Sequence, residues 1–259
     1  MRLALAAAAL VLSFAGEAAA QTQPFESRGP AVQGWAVDLG VGALHGVDSD
    51  GDTGGETRVV PYVAASWNDV VYFSPFEGLG WNALKSDSFR AGVQLRPRFD
   101  ADEVEGLVLD RPDFGADAAV YAYGRIPGNV VIGGRISRDV SGVSDGTEIV
   151  LQAAYQTVTP IGGLTLTGFA RGGDRKLAEA YYGVDAGEAL ANGISTWSPD
   201  GGLQGAGINA VLVAPLSGGW ALGGLAGWER RLGDVADSPL SRNDDAWRVG
   251  AFLARRFTF

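Results

Sequence analysis

Arginines and carboxylates recur at alternate positions along several stretches of this chain, and that spacing is its strongest chemical signal. Arg90, Arg96 and Arg98 share one phase of a two-residue repeat whose other phase holds Phe89, Ala91, Val93 and Leu95. Asp38, Asp117, Arg135, Glu148, Glu229, Arg231, Arg248 and Arg256 occupy the same polar phase of other alternating stretches. A period of two puts every member of a phase on one face of a strand. Two chemistries fit a surface so lined. Opposite charges could pair across an enclosed interior, since unpaired buried charge is costly. Alternatively, an arginine-lined constriction could select an anionic solute.

Other reactive residues are sparse. His45 is the single histidine, and no serine lies within two positions of it. A lipid hydrolase would need serine and histidine within hydrogen-bond reach on the outer wall, so His45 reads as a loop-edge residue. Asp48-Ser49-Asp50-Gly51-Asp52 resembles the opening of a calcium loop, but Thr53 stands where the turn glycine is needed and Val59 where the bidentate glutamate belongs. A solvated acidic loop is the better reading, with weak divalent-cation binding beside lipopolysaccharide as the alternative. Cysteine is absent, which removes disulfides, thiolate nucleophiles and thiolate metal sites. The formal charge of −10, with no basic patch interleaved with aromatics, excludes nucleic acid as a partner class. Neither a metal nor a cofactor is expected.

The elements that must position these charges are strands. In the last stretch Trp247, Val249, Ala251, Leu253, Phe257 and Phe259 share one phase, against Arg248, Gly250, Ala254, Arg256 and Thr258 on the other. An apolar phase ending in Phe257 and Phe259 fits the final strand of a closed outer-membrane barrel, with a lipid-facing band, an aromatic rim and a polar lumen face. These two phenylalanines would form the C-terminal signal read by the barrel-assembly machinery. Arg255 falls on the apolar phase and is expected at an interface, where its stem can snorkel. At the other end, Arg2, the apolar run 3–14 and Ala18-Ala19-Ala20 read as an export signal over residues 1–20. The run is too short for a spanning helix, which needs about twenty apolar residues, and no cysteine follows it for lipid anchoring. A polar leader, 21–33, precedes the barrel, 34–259.

Alternation predicts strands over 34–44, 57–67, 70–74, 78–84, 89–99, 113–125, 129–138, 147–158, 164–171, 204–214, 220–232 and the closing stretch. That is an all-β, closed antiparallel transmembrane barrel of about twelve strands. If 70–74 and 78–84 form one irregular element, ten strands remain. Tight connections such as Asn68-Asp69 and Ile126-Pro127-Gly128 mostly alternate with longer ones, as expected for periplasmic turns and extracellular loops, and the short connection 75–77 breaks the pattern. The longest, 172–202, could fold inward as a plug. Within it Asp185 could cap a short helical turn over 185–190, and Tyr181-Tyr182 could anchor the loop by packing.

Several stretches resemble the MipA/OmpV family of outer-membrane proteins. The resemblance is carried by Ser74-Pro75 with Gly78-Leu79-Gly80-Trp81-Asn82, by Ser86-Asp87 with Phe89-Arg90-Ala91-Gly92, by Tyr181-Tyr182-Gly183-Val184, and by Leu232-Gly233-Asp234 with Ala236-Asp237-Ser238-Pro239-Leu240. It implies an outer-membrane location among lipid and lipopolysaccharide, and a barrel without catalytic residues. It also implies a scaffold role, because the family's named member brings together a lytic murein transglycosylase and a bifunctional penicillin-binding protein. Other members are linked to adhesion or transport. With every periplasmic turn tight, only the leader 21–33 and the barrel rim are left to meet such partners. A small-solute, anion-preferring pore is the alternative function.

Overall fold

The computed structural model describes residues 33–47, 56–99, 101, 104 and 106–259; the export signal, the leader up to residue 32 and the acidic run 48–52 lie outside the described residues. Twelve strands run in order: β1 (Trp35–Val47), β2 (Glu56–Trp67), β3 (Val71–Ser74), β4 (Gly78–Lys85), β5 (Phe89–Arg98), β6 (Gly115–Ile126), β7 (Val130–Asp139), β8 (Thr147–Thr159), β9 (Gly162–Gly173), β10 (Gly202–Pro215), β11 (Trp220–Arg231) and β12 (Asp245–Thr258). Each pairs with its sequence neighbours, and β1 pairs antiparallel with β12 to close the barrel. The ten-strand alternative falls, because β3 and β4 form separate ladders with β2, with each other and with β5.

The turn chemistry sets the register. Asn68 and Asp69 adopt φ of 49° and 56°, the left-handed pair that matches hairpin twist. Asn129 at φ 61° does similar work between β6 and β7. The tight turns after β2, β4, β6, β8 and β10 fall at the end of the barrel where Trp35 pairs with both Trp67 and Phe259, whereas the short turn 75–77 between β3 and β4 points the other way. Alternation then sorts side chains without ambiguity, since a one-residue slip would invert every face. Leu39, Val41, Val93, Leu95, Ile149, Leu151, Val249 and Leu253 are exposed on the outer phase. Trp35, Trp67, Trp81 and Trp220 mark the turn-end rim of that apolar belt; Trp228, paired with Trp247, marks the loop-end rim. A belt this continuous is stable only in hydrocarbon. Arg255 sits at the turn-end rim, its guanidinium carbon 5.9 Å from the Trp220 ring and 5.0 Å from the Phe257 ring.

Inside, aromatic side chains fold over glycines on the adjacent strand. Tyr72 pairs with Gly80, Tyr123 with Gly133, Phe169 with Gly207, and Phe252 with Gly223. A Cβ at Gly80 would come within 2.1 Å of the Tyr72 ring, and one at Gly223 within 2.0 Å of the Phe252 ring. Part of the chain's glycine content is thus space for rings that fill the lumen. Tyr72, Tyr121, Tyr123 and Val131 form a buried cluster there.

Beyond the loop end, three connections build a cap. The β9–β10 connection carries α1 (Arg175–Tyr182) and α2 (Ala186–Asn192). Asp174 caps α1 by accepting from the Leu177 N–H, and Asp185 with Glu188 forms a capping box at α2. Val104, Val184, Ala189 and Leu240 pack as a second apolar cluster, with Leu107, Leu109, Ile194 and Trp197 against it. The cap therefore has its own small core, drawn from the β5–β6, β9–β10 and β11–β12 connections.

Candidate functional site

The charged inner phase is organised as short-range ion pairs. Arg98 donates two hydrogen bonds to Asp117 across β5 and β6, Nε to Oδ1 at 2.6 Å and Nη2 to Oδ2 at 2.8 Å, with both residues buried. This fork-to-fork geometry is the strong form of the contact. Arg135 donates to Glu148 at 2.9 Å between β7 and β8. Arg171 on β9 bonds Glu229 on β11 over the intervening Gly205, where a Cβ would strike the Glu229 carboxylate. Arg256 forks onto Asp38 at 2.7 and 2.5 Å, tying the last strand to the first. Arg90 meets Asp69 at 2.5 Å, and Lys85 joins the same carboxylate at 3.3 Å. Neutral groups continue the network: Tyr121 donates to Asn82 at 2.6 Å and Gln94 to the Tyr72 hydroxyl at 2.5 Å.

The remaining sequence candidates take different places. Arg231 stands half-buried at the loop end, donating to Ser241 at 2.7 Å with its guanidinium carbon 4.9 Å from the Tyr182 ring. Arg248 is half-buried on the inner phase of β12. Arg96 is buried in the lumen and makes no ion pair or hydrogen bond among the described residues. Phe257 and Phe259 lie at the turn-end rim, Phe259 largely exposed. Arg58, Asp69 and Arg171 also serve the interior although the arithmetic of phases had not singled them out. Arg171 and Arg58 did carry the signal, each being in the polar phase of its strand. Asp69 did not, since it sits in a turn outside any alternating stretch and meets Arg90 from there.

Tyr181 and Tyr182 show what the long connection does. The Tyr181 hydroxyl donates to the Phe99 carbonyl just beyond β5 at 2.9 Å, whereas Tyr182 lies under Arg231 at the end of β11. β5 and β11 are six strands apart in a ring of twelve, so α1 spans the mouth from one side to the other. Ser238 donates to the Tyr182 carbonyl at 2.7 Å, Arg111 to the Gly183 carbonyl at 3.0 Å, and Trp197 Nε1 to the Asp234 carbonyl at 3.1 Å. The connection is a lid over the barrel end, tied to both neighbouring loops. In the lid the Asp174 carboxyl lies below its ordinary range: burial pushes it up, but the Leu177 and Thr147 N–H bonds outweigh that. Bonds from Arg175 and then Ser198 lower Glu179. Desolvation lowers Arg111.

His45 faces the outer wall at the loop-end rim, its Nδ1 2.9 Å from Thr57 Oγ1 and its ring 5.6 Å from that of Trp247. Among the described residues it bonds only Thr57, so a histidine–hydroxyl pair exists without a group to orient it. No cluster of three or more metal-ligating side chains occurs among the described residues.

A closed antiparallel barrel, apolar outside between two tryptophan rims and ion-paired within, is an outer-membrane protein; the tight turns then face the periplasm and the lid faces outward. The family model for MltA-interacting protein MipA matches residues 39–257, and the chain belongs to that family. No curated relative matches it. Among solved structures it is similar to the COG4313 outer membrane channel from Pseudomonas putida F1, with 10% identity over 92% of this chain and 100% of that one at a TM-score of 0.44. It is also similar to the KdgM porin, with 9% identity over 86% and 99% at a TM-score of 0.39.

Proposed function

We propose that this barrel is a non-enzymatic scaffold for murein-synthesising and murein-degrading enzymes, acting from its periplasmic end. The observation that supports this reading is the filled interior. Five arginines on the inner phase are locked to carboxylates, aromatic rings occupy the space over facing glycines, and α1 spans the mouth. A barrel so filled offers partners its surfaces rather than a path, and its family's description names an interaction with a murein enzyme. The tight turns are poor docking sites, which leaves the rim and the leader 21–33 for that contact. Phe257 and Phe259 serve beforehand as the assembly signal. Pull-down from envelope extracts is expected to recover a murein transglycosylase or a penicillin-binding protein with the full mature chain, and less without residues 21–33. Recovery of neither with either form removes the scaffold reading.

A second reading, an anion-preferring small-solute pore, has one observation in its favour: Arg90, Arg96 and Arg98 stand on the inner face of one strand. It requires the lid to leave the mouth and the ion pairs to part.

A further inference from the structure

The β3–β4 hairpin is shorter than the strands on either side of it. β2 pairs with β1 along its whole length, Glu56–Trp67, but with β3 only over 65–67. β5 pairs with β6 up to Arg98 but with β4 only up to Leu95. The wall is therefore notched between residues 57–63 of β2 and residues 97–99, with the turn 75–77 at the foot of the notch. No strand among the described residues pairs with 57–63 on that side.

The sequence is adapted to this edge. Trp35 and Phe259 exchange both backbone bonds at 3.0 Å, so odd residues of β1 turn to β12 and even ones to β2. By the register Asp38↔Ala64, even residues of β2 face β1 and odd ones face the notch. On β5, Arg125 N–H donates to the Ser88 carbonyl, so even residues face β6 and odd ones face β4. Pro61 and Pro97 thus both turn a nitrogen without a hydrogen toward the notch. Proline is confined to such edges and blunts them against strand addition.

The notch lies at the height of the outer leaflet. Residues 57–63 pair with residues 45–39 of β1, between the rim marked by Trp35 and Trp67 and the rim where Trp247 pairs with Val47. Val59 and Val63 face outward and are exposed. Backbone edges at that depth need polar partners, because hydrocarbon offers none. At the foot of the notch, on the lumen side, stands Arg96, whose Cα lies against Gly78. Its electrostatic neighbours are Arg135, Glu148, Asp117 and Glu77. Those carboxylates bond elsewhere: Glu148 to Arg135, Asp117 to Arg98, and Glu77 to the Ser74 hydroxyl at 3.4 Å. Arg58 points inward from the opposite border. Arg96 is buried and makes no hydrogen bond among the described residues, so an anionic acceptor that reached its guanidinium would add a charge-assisted bond there.

We propose that the notch and Arg96 form a lateral site for an alkyl amphiphile of the outer leaflet. Its carboxylate or phosphate head accepts from Arg96 inside the lumen, and its chain lies out through the notch beside Val59 and Val63. The edge prolines keep the opening free of an added strand. The site is independent of the scaffold reading, since it uses the opposite half of the barrel.

Equilibrium binding of labelled hexadecanoate to the full mature protein in non-ionic micelles tests this, with hexadecanol, acetate and inorganic phosphate as comparison probes. The Arg96→Gln and Val63→Trp variants are measured alongside, with heat-modifiable gel migration to confirm folding. Saturable hexadecanoate binding is expected, weakened at least about tenfold by Arg96→Gln and reduced by Val63→Trp, which fills the notch from the lipid side. Hexadecanol and acetate are each expected to bind at least about tenfold more weakly. Four results overturn the proposal: hexadecanol binding as well as hexadecanoate, acetate or phosphate binding as well as hexadecanoate, binding unmoved by both variants, or no saturable binding.

Discussion

At the residue scale, the interior is a set of pairs whose members depend on one another. Removing one partner of a buried, bidentate pair leaves an uncompensated charge, which costs about 3–5 kcal/mol. Asp117→Ala should therefore lower the unfolding free energy in detergent by about that amount, read from denaturant midpoints. Asp38→Ala should cost less, because solvent reaches the Asp38–Arg256 pair more freely, with side-chain exposures of 14% and 22%. The outward lid responds to pH instead. Asp174 and Glu179 titrate below their ordinary values when folded, so their contribution is complete above the usual carboxylate range and is lost as pH falls through the folded values. Amide exchange at Leu177 and Ala178, corrected for the intrinsic rate, should accelerate between pH 6 and pH 3, and Asp174→Asn should remove most of that change. Most inner-phase charges were legible from alternation alone. Their partners were not, since which arginine meets which carboxylate depends on register and on gaps such as Gly205, through which Arg171 reaches Glu229.

At the scale of elements, glycine opposite an aromatic residue is the recurring device that fills the lumen. Gly223→Val would drive a side chain into the Phe252 ring, and overpacking of that kind costs about 1–3 kcal/mol; the unfolding midpoint should fall with the slope unchanged. Leu222→Val, one position away on the outer phase, should be far milder. The cap is a separate unit with its own apolar cluster, so Val184→Asp should expose residues 174–201 to protease while the barrel keeps its heat-modifiable migration. Strands, tight turns and α2 could be read from the chain because each rests on local rules: period two, left-handed turn residues and a capping box. α1 escaped notice although Asp174 supplies its cap, because its eight residues carry too little apolar periodicity to stand out from a polar loop. The notch also escaped, because a short hairpin reads locally as two ordinary short strands. Pro61 and Pro97 were the available signal, each a proline within an otherwise regular strand.

At the scale of the whole molecule, these parts describe a barrel closed by Asp38–Arg256, filled by ion pairs and rings, and covered by α1. The resemblance in Tyr181-Tyr182-Gly183-Val184 and in Gly233-Asp234 falls on the lid and its anchor, where Trp197 donates to the Asp234 carbonyl. Those motifs therefore mark the covering of the mouth. The proposed scaffold role requires a resting barrel that does not conduct and works at its surfaces. Planar-bilayer recording of the refolded mature chain tests it most directly. Insertion without steady current is expected, in wild type and in Arg90→Ala alike. A stable open-channel current in the wild type, anion-selective and altered by Arg90→Ala, would contradict the filled-barrel account and make the chain a pore.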